Sequence, residues 1–184
     1  LERRRAKKRV KRPRPASSHG GISSRLEAAA DAPILHCCTT AELWQQGIGS
    51  VLLSRGLSNG HVAFAVFLVD MYCLGVKDVF MNVAPRAKYD RDLYGKLAGR
   101  ETLNTLNPEC ARKLVEGAVQ YASELGIPPH PDYRKAKGIF GTIPVQACRE
   151  EFTYGKDGKP FFVAGPHDGP ARCDQILRTL ESHC

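Results

Sequence analysis

The chain of 184 residues is long enough for one folded domain with an appendage and too short for two ordinary domains. Its hydrophobic content of 42% and charged content of 25% are those of a globular protein and exclude a fibrous or collagen-like one. Charge is unevenly placed, because residues 1–14 hold nine of the 27 Lys and Arg and only one of the 19 Asp and Glu. This segment accounts for the whole net charge of +8, and the other 170 residues carry 18 charges of each sign.

The basic segment, residues 1–14, is the clearest functional signal in the sequence. Its like charges repel one another and Pro13 and Pro15 interrupt any helix, so we expect an extended segment. We predict that residues 1–34 form a basic tail and linker and that residues 35–184 form a single compact domain. Lys and Arg side chains that neutralise phosphates release condensed counterions, which gives sequence-independent affinity for RNA or DNA. The predicted phosphate contacts are Arg3, Arg4, Arg5, Lys7, Lys8, Arg9, Lys11, Arg12 and Arg14.

The first elements predicted after the basic segment are a short helix and a hairpin. Residues Ser24–Ala30 are predicted to be a short polar helix. Ile48–Leu57 and His61–Asp70 are rich in strand-forming residues, and Asn59-Gly60 between them favours a tight hairpin turn. Both alternating faces of the second strand are apolar, which predicts a central strand covered on both sides.

Two helices and a second hairpin complete the predicted fold. Asn107 and Pro108 are typical of a helix start, and apolar residues at helical spacing continue to Gly126. A second hairpin is predicted over residues 151–164 and a closing helix over residues 170–183. The closing helix is expected to bury Ile176, Leu177 and Leu180. The predicted class is therefore α+β, with a mainly antiparallel sheet of two hairpins, about four or five strands and two main helices.

The segment 67–78, FLVDMYCLGVKD, resembles a family of uncharacterised bacterial proteins in which a hairpin leads into a strand that ends LVDxxCLGVKD. The segments 158–160 (GKP) and 165–166 (GP) fit the same family. The resemblance covers about residues 36–182 and excludes the basic segment. It implies a single compact domain, and because the family has no established activity, it implies no catalytic role.

Two segments of the predicted domain extend the expected contact with phosphates. Residues 86–100 alternate basic and aromatic side chains, which allows phosphates to be neutralised while a base stacks on a ring. Asp90 and Asp92 reduce the net positive charge of this segment. The alternative to a phosphate-binding segment is therefore an ordinary charged helix face. The second segment, residues 133–137, follows a proline-rich turn. The predicted contacts in the two segments are Arg86, Lys88, Tyr89, Arg91, Arg134, Lys135 and Lys137.

A second hypothesis is a metal-dependent nuclease. Asp70 at the end of an apolar strand and Asp78 shortly after it could hold Mg²⁺ for phosphodiester chemistry, with Lys77 beside them. The alternative is that Asp70 caps the strand and Asp78 opens the following turn or helix. We expect the structural alternative, and therefore no catalytic residue.

A third hypothesis is a zinc-dependent or thiol-dependent interaction module. His36, Cys37 and Cys38 supply suitable ligands, but the paired spacing of structural zinc sites, such as CxxC, does not occur. We expect neither a metal nor another cofactor. The seven cysteines form an odd set without regular spacing, which predicts no disulfide framework and a reducing compartment.

Taken together, these patterns predict an accessory protein that binds nucleic acid and is not an enzyme. The basic segment is expected to contact RNA or DNA, with RNA slightly favoured, and the neutral domain to dock on a larger protein or ribonucleoprotein. The longest apolar run, Val62–Val69, is far shorter than the roughly 20 residues that a membrane helix needs. Pro, Ser and Gly follow the basic start where a signal peptide has its apolar core, so the expected location is cytoplasmic, or nuclear in a eukaryote.

Overall fold

The computed structural model describes residues 20–166 and 168–183, so the basic segment and its predicted contacts lie outside the described residues. The described helices are α1 (Ile22–Ala28), α2 (Glu42–Gln46), α3 (Arg86–Tyr89), α4 (Gly95–Arg100), α5 (Pro108–Glu124), α6 (Tyr133–Ala136) and α7 (Pro170–His183). The strands are β1 (Ile34–Thr40), β2 (Ile48–Gly56), β3 (His61–Asp70), β4 (Gly75–Pro85) and β5 (Leu103–Thr105). Single π-helical or 3₁₀-helical turns lie at Asp90–Tyr94, Lys137–Phe140 and Val145–Ala147.

The five strands form one antiparallel sheet in the order β4-β3-β2-β1-β5, which confirms the predicted α+β class. The predicted hairpin is formed by β2 and β3, which pair from Ile48–Asp70 to Gly56–Val62. β3 lies inside the sheet between β2 and β4, and most of its residues are buried, as its two apolar faces predict.

The two faces of β3 belong to different cores. Ala63, Ala65 and Phe67 point to face A, where they pack in one cluster with residues of α1, α5 and α6. Val62 and Phe64 point to face B, which among the described residues is covered by the segment Arg86–Arg100, through its partly or fully buried aromatic and leucine side chains. Because alternate side chains of β3 point to opposite faces, the sheet carries a thick layer of helices on face A and a thin layer on face B.

The packed body begins earlier than residue 35, the predicted start of the domain. α1 packs against face A, and Leu26 is completely buried there beside Ala29. The short polar helix was predicted from sequence, but its position in the core was not, because a single buried leucine leaves almost no apolar periodicity to recognise.

The predicted second hairpin over residues 151–164 is wrong. This segment contains only an isolated bridge between Lys156 and Lys159. Its main chain bonds to the β3–β4 turn instead, with Gly155 N–H donating to the carbonyl of Met71 and Phe161 N–H to that of Tyr72. The sheet takes its remaining strands from β1, β4 and β5, which were not assigned from sequence.

Both helices predicted after residue 107 are confirmed. In α5, Cys110, Ala111, Leu114, Val115, Ala118 and Ala122 are buried. In α7, Ile176 is buried and Leu180 partly buried, whereas the prediction for Leu177 is wrong because this side chain is 47% exposed. α7 thus packs on the rest of the domain through fewer apolar side chains than its sequence suggests.

The outer edge of β4 is shielded by polar side chains. Asp78 and Asn82 accept hydrogen bonds from the backbone N–H of Val79 and Val83, respectively, at 2.8 Å. The Arg25 guanidinium lies 3.4 Å from the Val83 carbonyl, and His130 N–H donates to the carbonyl of Val76. An edge strand pairs with another strand through its outward backbone N–H and C=O groups. Because several of these groups on β4 already have partners, the arrangement discourages such pairing.

A disulfide joins Cys110 in α5 to Cys148, whereas the irregular spacing of the cysteines predicted no disulfide framework. The two residues are 38 positions apart in the chain, and the bond fixes the segment that follows α6 against α5. Spacing alone could not reveal the pair, because any two of seven cysteines can be partners until the fold is known.

Replacing Phe67 by Ala is expected to lower the free energy of unfolding by roughly 3–5 kcal/mol. Phe67 is fully buried on face A, and its ring stacks on that of Phe140 with centroids 5.3 Å apart. Phe80→Ala is the matched control, because Phe80 is 54% exposed and should change stability by less than about 1 kcal/mol. Equal losses in urea unfolding of the two variants would contradict this assignment of the core.

Replacing Cys148 by Ser is expected to lower the free energy of unfolding by about 3–4 kcal/mol, since the cross-link constrains a long loop in the unfolded chain. Cys173→Ser should cost less than about 1 kcal/mol, because Cys173 is partly exposed and forms no disulfide. Adding a reductant during urea unfolding should weaken the parent protein and leave Cys148→Ser unchanged. If the reductant does not change the urea unfolding of the parent protein, the cross-link is refuted.

Candidate functional site

The turn between β3 and β4 is organised by the buried carboxylate of Asp70. Its Oδ1 accepts the backbone N–H groups of Tyr72 at 2.9 Å and Cys73 at 3.1 Å. Burial raises the pKa of Asp70 above its usual range, although the N–H groups of the turn favour the charged form. Asp70 is thus a turn cap, as the structural alternative predicted.

Lys77 ties the segment before α7 to this end of the sheet. Its Nζ lies 2.5 Å from Oδ2 of Asp168, and both side chains are largely buried. Asp168 also accepts the Gly165 N–H at 2.8 Å and lies 3.2 Å from Nε of Arg172. The bond from Lys77 holds the pKa of Asp168 below its usual range.

Asp78 has a different environment from Asp70. Its side chain is 68% exposed on β4, where it accepts the Val79 N–H and lies 3.6 Å from Nε2 of His130. It lies within a strand, so it opens neither a turn nor a helix. Within residues 20–166 and 168–183, no group of three or more His, Cys, Asp or Glu residues is placed to hold a metal ion. The geometry therefore gives the nuclease hypothesis no support.

Two cavities flank Tyr72 at this end of the sheet, and together we call them the aromatic cleft. The larger, of about 390 Å³, is lined by Gln46, Asp70, Lys77 and Phe161 among others. The smaller, of about 270 Å³, is lined by Trp44 and Phe152 among others. Tyr72 contributes to the walls of both cavities.

The rings of the aromatic cleft are held in fixed positions. The Trp44 indole N–H donates to Oγ1 of Thr39 at 3.1 Å, and its ring lies over Phe152 with centroids 6.0 Å apart. Tyr72 meets Phe161 edge to face at 6.4 Å. Behind Tyr72, Gly47 has a φ of +75°, and a Cβ there would lie 2.3 Å from the Tyr72 ring. Only glycine allows this contact, so the position of Tyr72 depends on it.

These aromatic residues were missed by the sequence analysis. They come from α2, from the β3–β4 turn and from the segment 151–166, so no local spacing connects them. The available signals were the single tryptophan of the chain and the aromatic residues among the Gly and Pro of residues 152–166. Such residues are ordinarily assigned to the core, but Trp44 and Phe161 are each 42% exposed.

The two predicted basic segments lie on opposite faces of the sheet. Residues 86–100 cover face B, whereas α6 packs on face A. On the first segment Arg86 pairs with Asp90 at 2.7 Å and Arg91 with Asp92 at 2.9 Å. On the second, Lys135 pairs with Asp132, while Arg134 and Lys137 are exposed. The two segments thus lie on separate sides of the sheet.

The prediction that Tyr89 contacts nucleic acid is wrong. Tyr89 is only 1% exposed in the face B core. Its hydroxyl donates to Oγ of Ser54 at 2.9 Å and lies 2.9 Å from Nδ1 of His36. A ring enclosed in this way has no face on which a base could stack.

The structure separates the residues of the zinc hypothesis. Cys37 belongs to the face A cluster and Cys38 to the face B cluster, because successive residues of β1 point to opposite faces. Their thiols cannot reach one metal ion. His36 is stacked on Tyr94 with centroids 3.8 Å apart, and burial together with Arg86 lowers its pKa. These three residues have structural roles.

No protein-family model, curated protein or solved structure matches this chain. The described part of the chain contains no helix long and apolar enough to cross a membrane.

Replacing Asp70 by Ala is expected to lower the free energy of unfolding by about 1–3 kcal/mol, because two buried N–H groups lose their acceptor. Asp70→Asn retains an oxygen acceptor and should cost less. Since folding raises the pKa of Asp70, its contribution is largest when protonated and decreases as pH rises above about 4. The difference between the parent protein and Asp70→Asn should therefore be larger at pH 4 than at pH 7.

The control for this series is Asp78→Asn, which should change stability by less than about 0.5 kcal/mol because Asp78 is exposed. Urea unfolding of the variants at both pH values measures these differences. A loss in Asp78→Asn as large as that in Asp70→Ala would contradict the separate environments of the two carboxylates. Incubation with labelled RNA and DNA in Mg²⁺ should give no cleavage that depends on either residue.

Proposed function

We propose that the protein is a nucleic-acid-binding accessory protein whose basic segment contacts the phosphates of RNA or DNA. The observation that carries this proposal is the placement of charge: residues 1–14 have a net charge of +8 and the rest of the chain is neutral. A segment of this density releases several counterions when it binds a polyanion, and this release supplies most of its affinity.

The described body supports a secondary role in binding. Lys88, Lys96 and Arg100 are exposed on the segment that covers face B, and Arg134 and Lys137 are exposed on the other side. Several neighbouring cations are paired with Asp90, Asp92 and Asp132, which reduces the field that a phosphate would meet. The body therefore adds contacts to those of the basic segment and does not replace them.

The proposal assigns the neutral body a docking role on a larger protein or ribonucleoprotein. A domain that held nucleic acid through its own surface would concentrate positive charge there. The residues outside 1–14 carry 18 charges of each sign and therefore have no net positive charge. The proposed compartment is the cytoplasm, or the nucleus in a eukaryote. The Cys110–Cys148 disulfide favours a less reducing environment, so the state of this bond in protein from its native source tests that assignment.

Replacing the nine Lys and Arg of residues 1–14 by Gln is expected to abolish most sequence-independent binding to labelled duplex RNA or DNA. In fluorescence anisotropy, the parent protein should show a log–log salt slope of about −4 to −8, since each phosphate contact contributes about −0.9. The substituted protein should lose most of this slope and unfold in urea as the parent does.

The matched control neutralises exposed cations of the body instead. Lys88, Lys96 and Arg100 replaced by Gln should reduce the slope by at most about 3, because only three contacts are removed. If the nine-fold variant keeps the parent's affinity and slope, the proposed function is wrong.

A further inference from the structure

We propose that the aromatic cleft binds an unpaired nucleobase of single-stranded RNA or DNA. This inference rests on the proposed function and makes it more specific, because it adds to the phosphate contacts of the basic segment a site that distinguishes single strands from duplexes. The argument depends on the exposed rings, the polar groups between them and the lysines beside them.

Exposed apolar side chains border the aromatic cleft. Trp44, Phe161 and Val163 are three of the six large hydrophobic side chains that stay exposed in the described residues, and all three border the cleft. Contiguous apolar patches on monomeric proteins commonly mark binding sites. Aromatic rings that present a face to solvent are the usual platforms for single-stranded bases, because every base has a π face.

The cleft is built before any ligand arrives. Two main-chain hydrogen bonds fix the segment 155–161 on the β3–β4 turn, from Gly155 to Met71 and from Phe161 to Tyr72. Lys77, which lines the larger cavity, is held in place by its ion pair with Asp168. A preformed site avoids the entropic cost of ordering its walls when the ligand binds.

The larger cavity combines apolar walls with a few polar groups. Ile48, Phe161 and Val163 provide apolar surface, while Gln46 and Asp70 provide amide and carboxyl groups. Its volume of about 390 Å³ is within the range of small-molecule sites, which pair apolar walls with few polar groups. A nucleobase matches this pattern, since its faces are apolar and its edges donate and accept hydrogen bonds.

Lysine side chains supply the complementary charge for the attached phosphates. Nζ of Lys156 lies 4.3 Å from the centroid of the Phe161 ring, so an ammonium group is already placed beside this ring. Lys156 and Lys159 are both exposed on the same turn, with Asp157 between them. A base stacked on Phe161 would therefore bring its attached phosphates close to the ammonium group of Lys156.

The single tryptophan provides a direct reporter of this site, because Trp44 is the only indole in the chain. Titrating the full-length protein with a short oligothymidylate should quench Trp44 emission. An abasic oligodeoxynucleotide of the same length keeps the phosphates and lacks the bases, so it should bind without comparable quenching. Equal quenching by the two strands, or none by either, would overturn the inference.

Variants separate the cleft from other exposed aromatic residues. Phe161→Ala should weaken oligothymidylate binding about tenfold, in line with the loss of one base–aromatic stack. Phe161→Tyr retains a ring and should restore the affinity. Phe80→Ala removes another exposed phenylalanine, on β4, and should change nothing. A Phe80→Ala loss equal to that of Phe161→Ala would also overturn the inference.

The same titrations keep the inference apart from the proposed function. If the protein binds duplexes but oligothymidylate does not quench Trp44 emission, the proposed function is retained and the base site is refuted. Quenching that persists when the nine Lys and Arg of residues 1–14 are Gln retains the base site, even where duplex binding is absent. Quenching by a proline-rich peptide or a neutral oligosaccharide, but not by oligothymidylate, would mean that the cleft serves a different ligand, and would refute the inference.

Discussion

The structure depends on the burial of β3 on both faces. A strand with apolar residues on its two alternating sides requires a layer on each, and the chain supplies α1, α5 and α6 on face A and residues 86–100 on face B. The second layer is the thinner of the two, and the end of β3 is itself buried at Val69 and Asp70. In the turn that follows β3, Asp70, Tyr72 and Lys77 meet the later residues Gly155, Phe161 and Asp168.

If the proposed base site is correct, this turn combines a structural role and a binding role in one region. Asp70 caps the turn and lines the larger cavity of the aromatic cleft, and Lys77 lines the same cavity while it pairs with Asp168. The groups that stabilise the local fold are thus also the polar groups that a ligand would meet. Phe161 and Trp44 are the complementary case, since each side chain is 42% exposed and its exposed part would serve the proposed base site more than the stability of the fold.

The sequence predicted those elements whose signal is local. The Asn59-Gly60 turn, the two apolar faces of β3 and the Asn107-Pro108 helix start each lie within a few neighbouring residues, and all three are present. The Cys110–Cys148 bond and the aromatic cleft join distant segments, so no spacing along the chain reveals them. Tyr89 illustrates the same limit, because an aromatic residue among basic ones looks like a binding residue until its burial is known.

The most direct test of a nucleic-acid-binding role is photo-crosslinking of the intact protein to single-stranded RNA that carries 4-thiouridine, followed by mass spectrometry of the linked peptides. The account predicts crosslinks at two places, the basic segment 1–14 and the peptides that contain Trp44, Tyr72 or Phe161. Competition with excess unlabelled single strand should remove both sets. Crosslinks spread evenly over the surface, or their complete absence at low salt, would contradict the account.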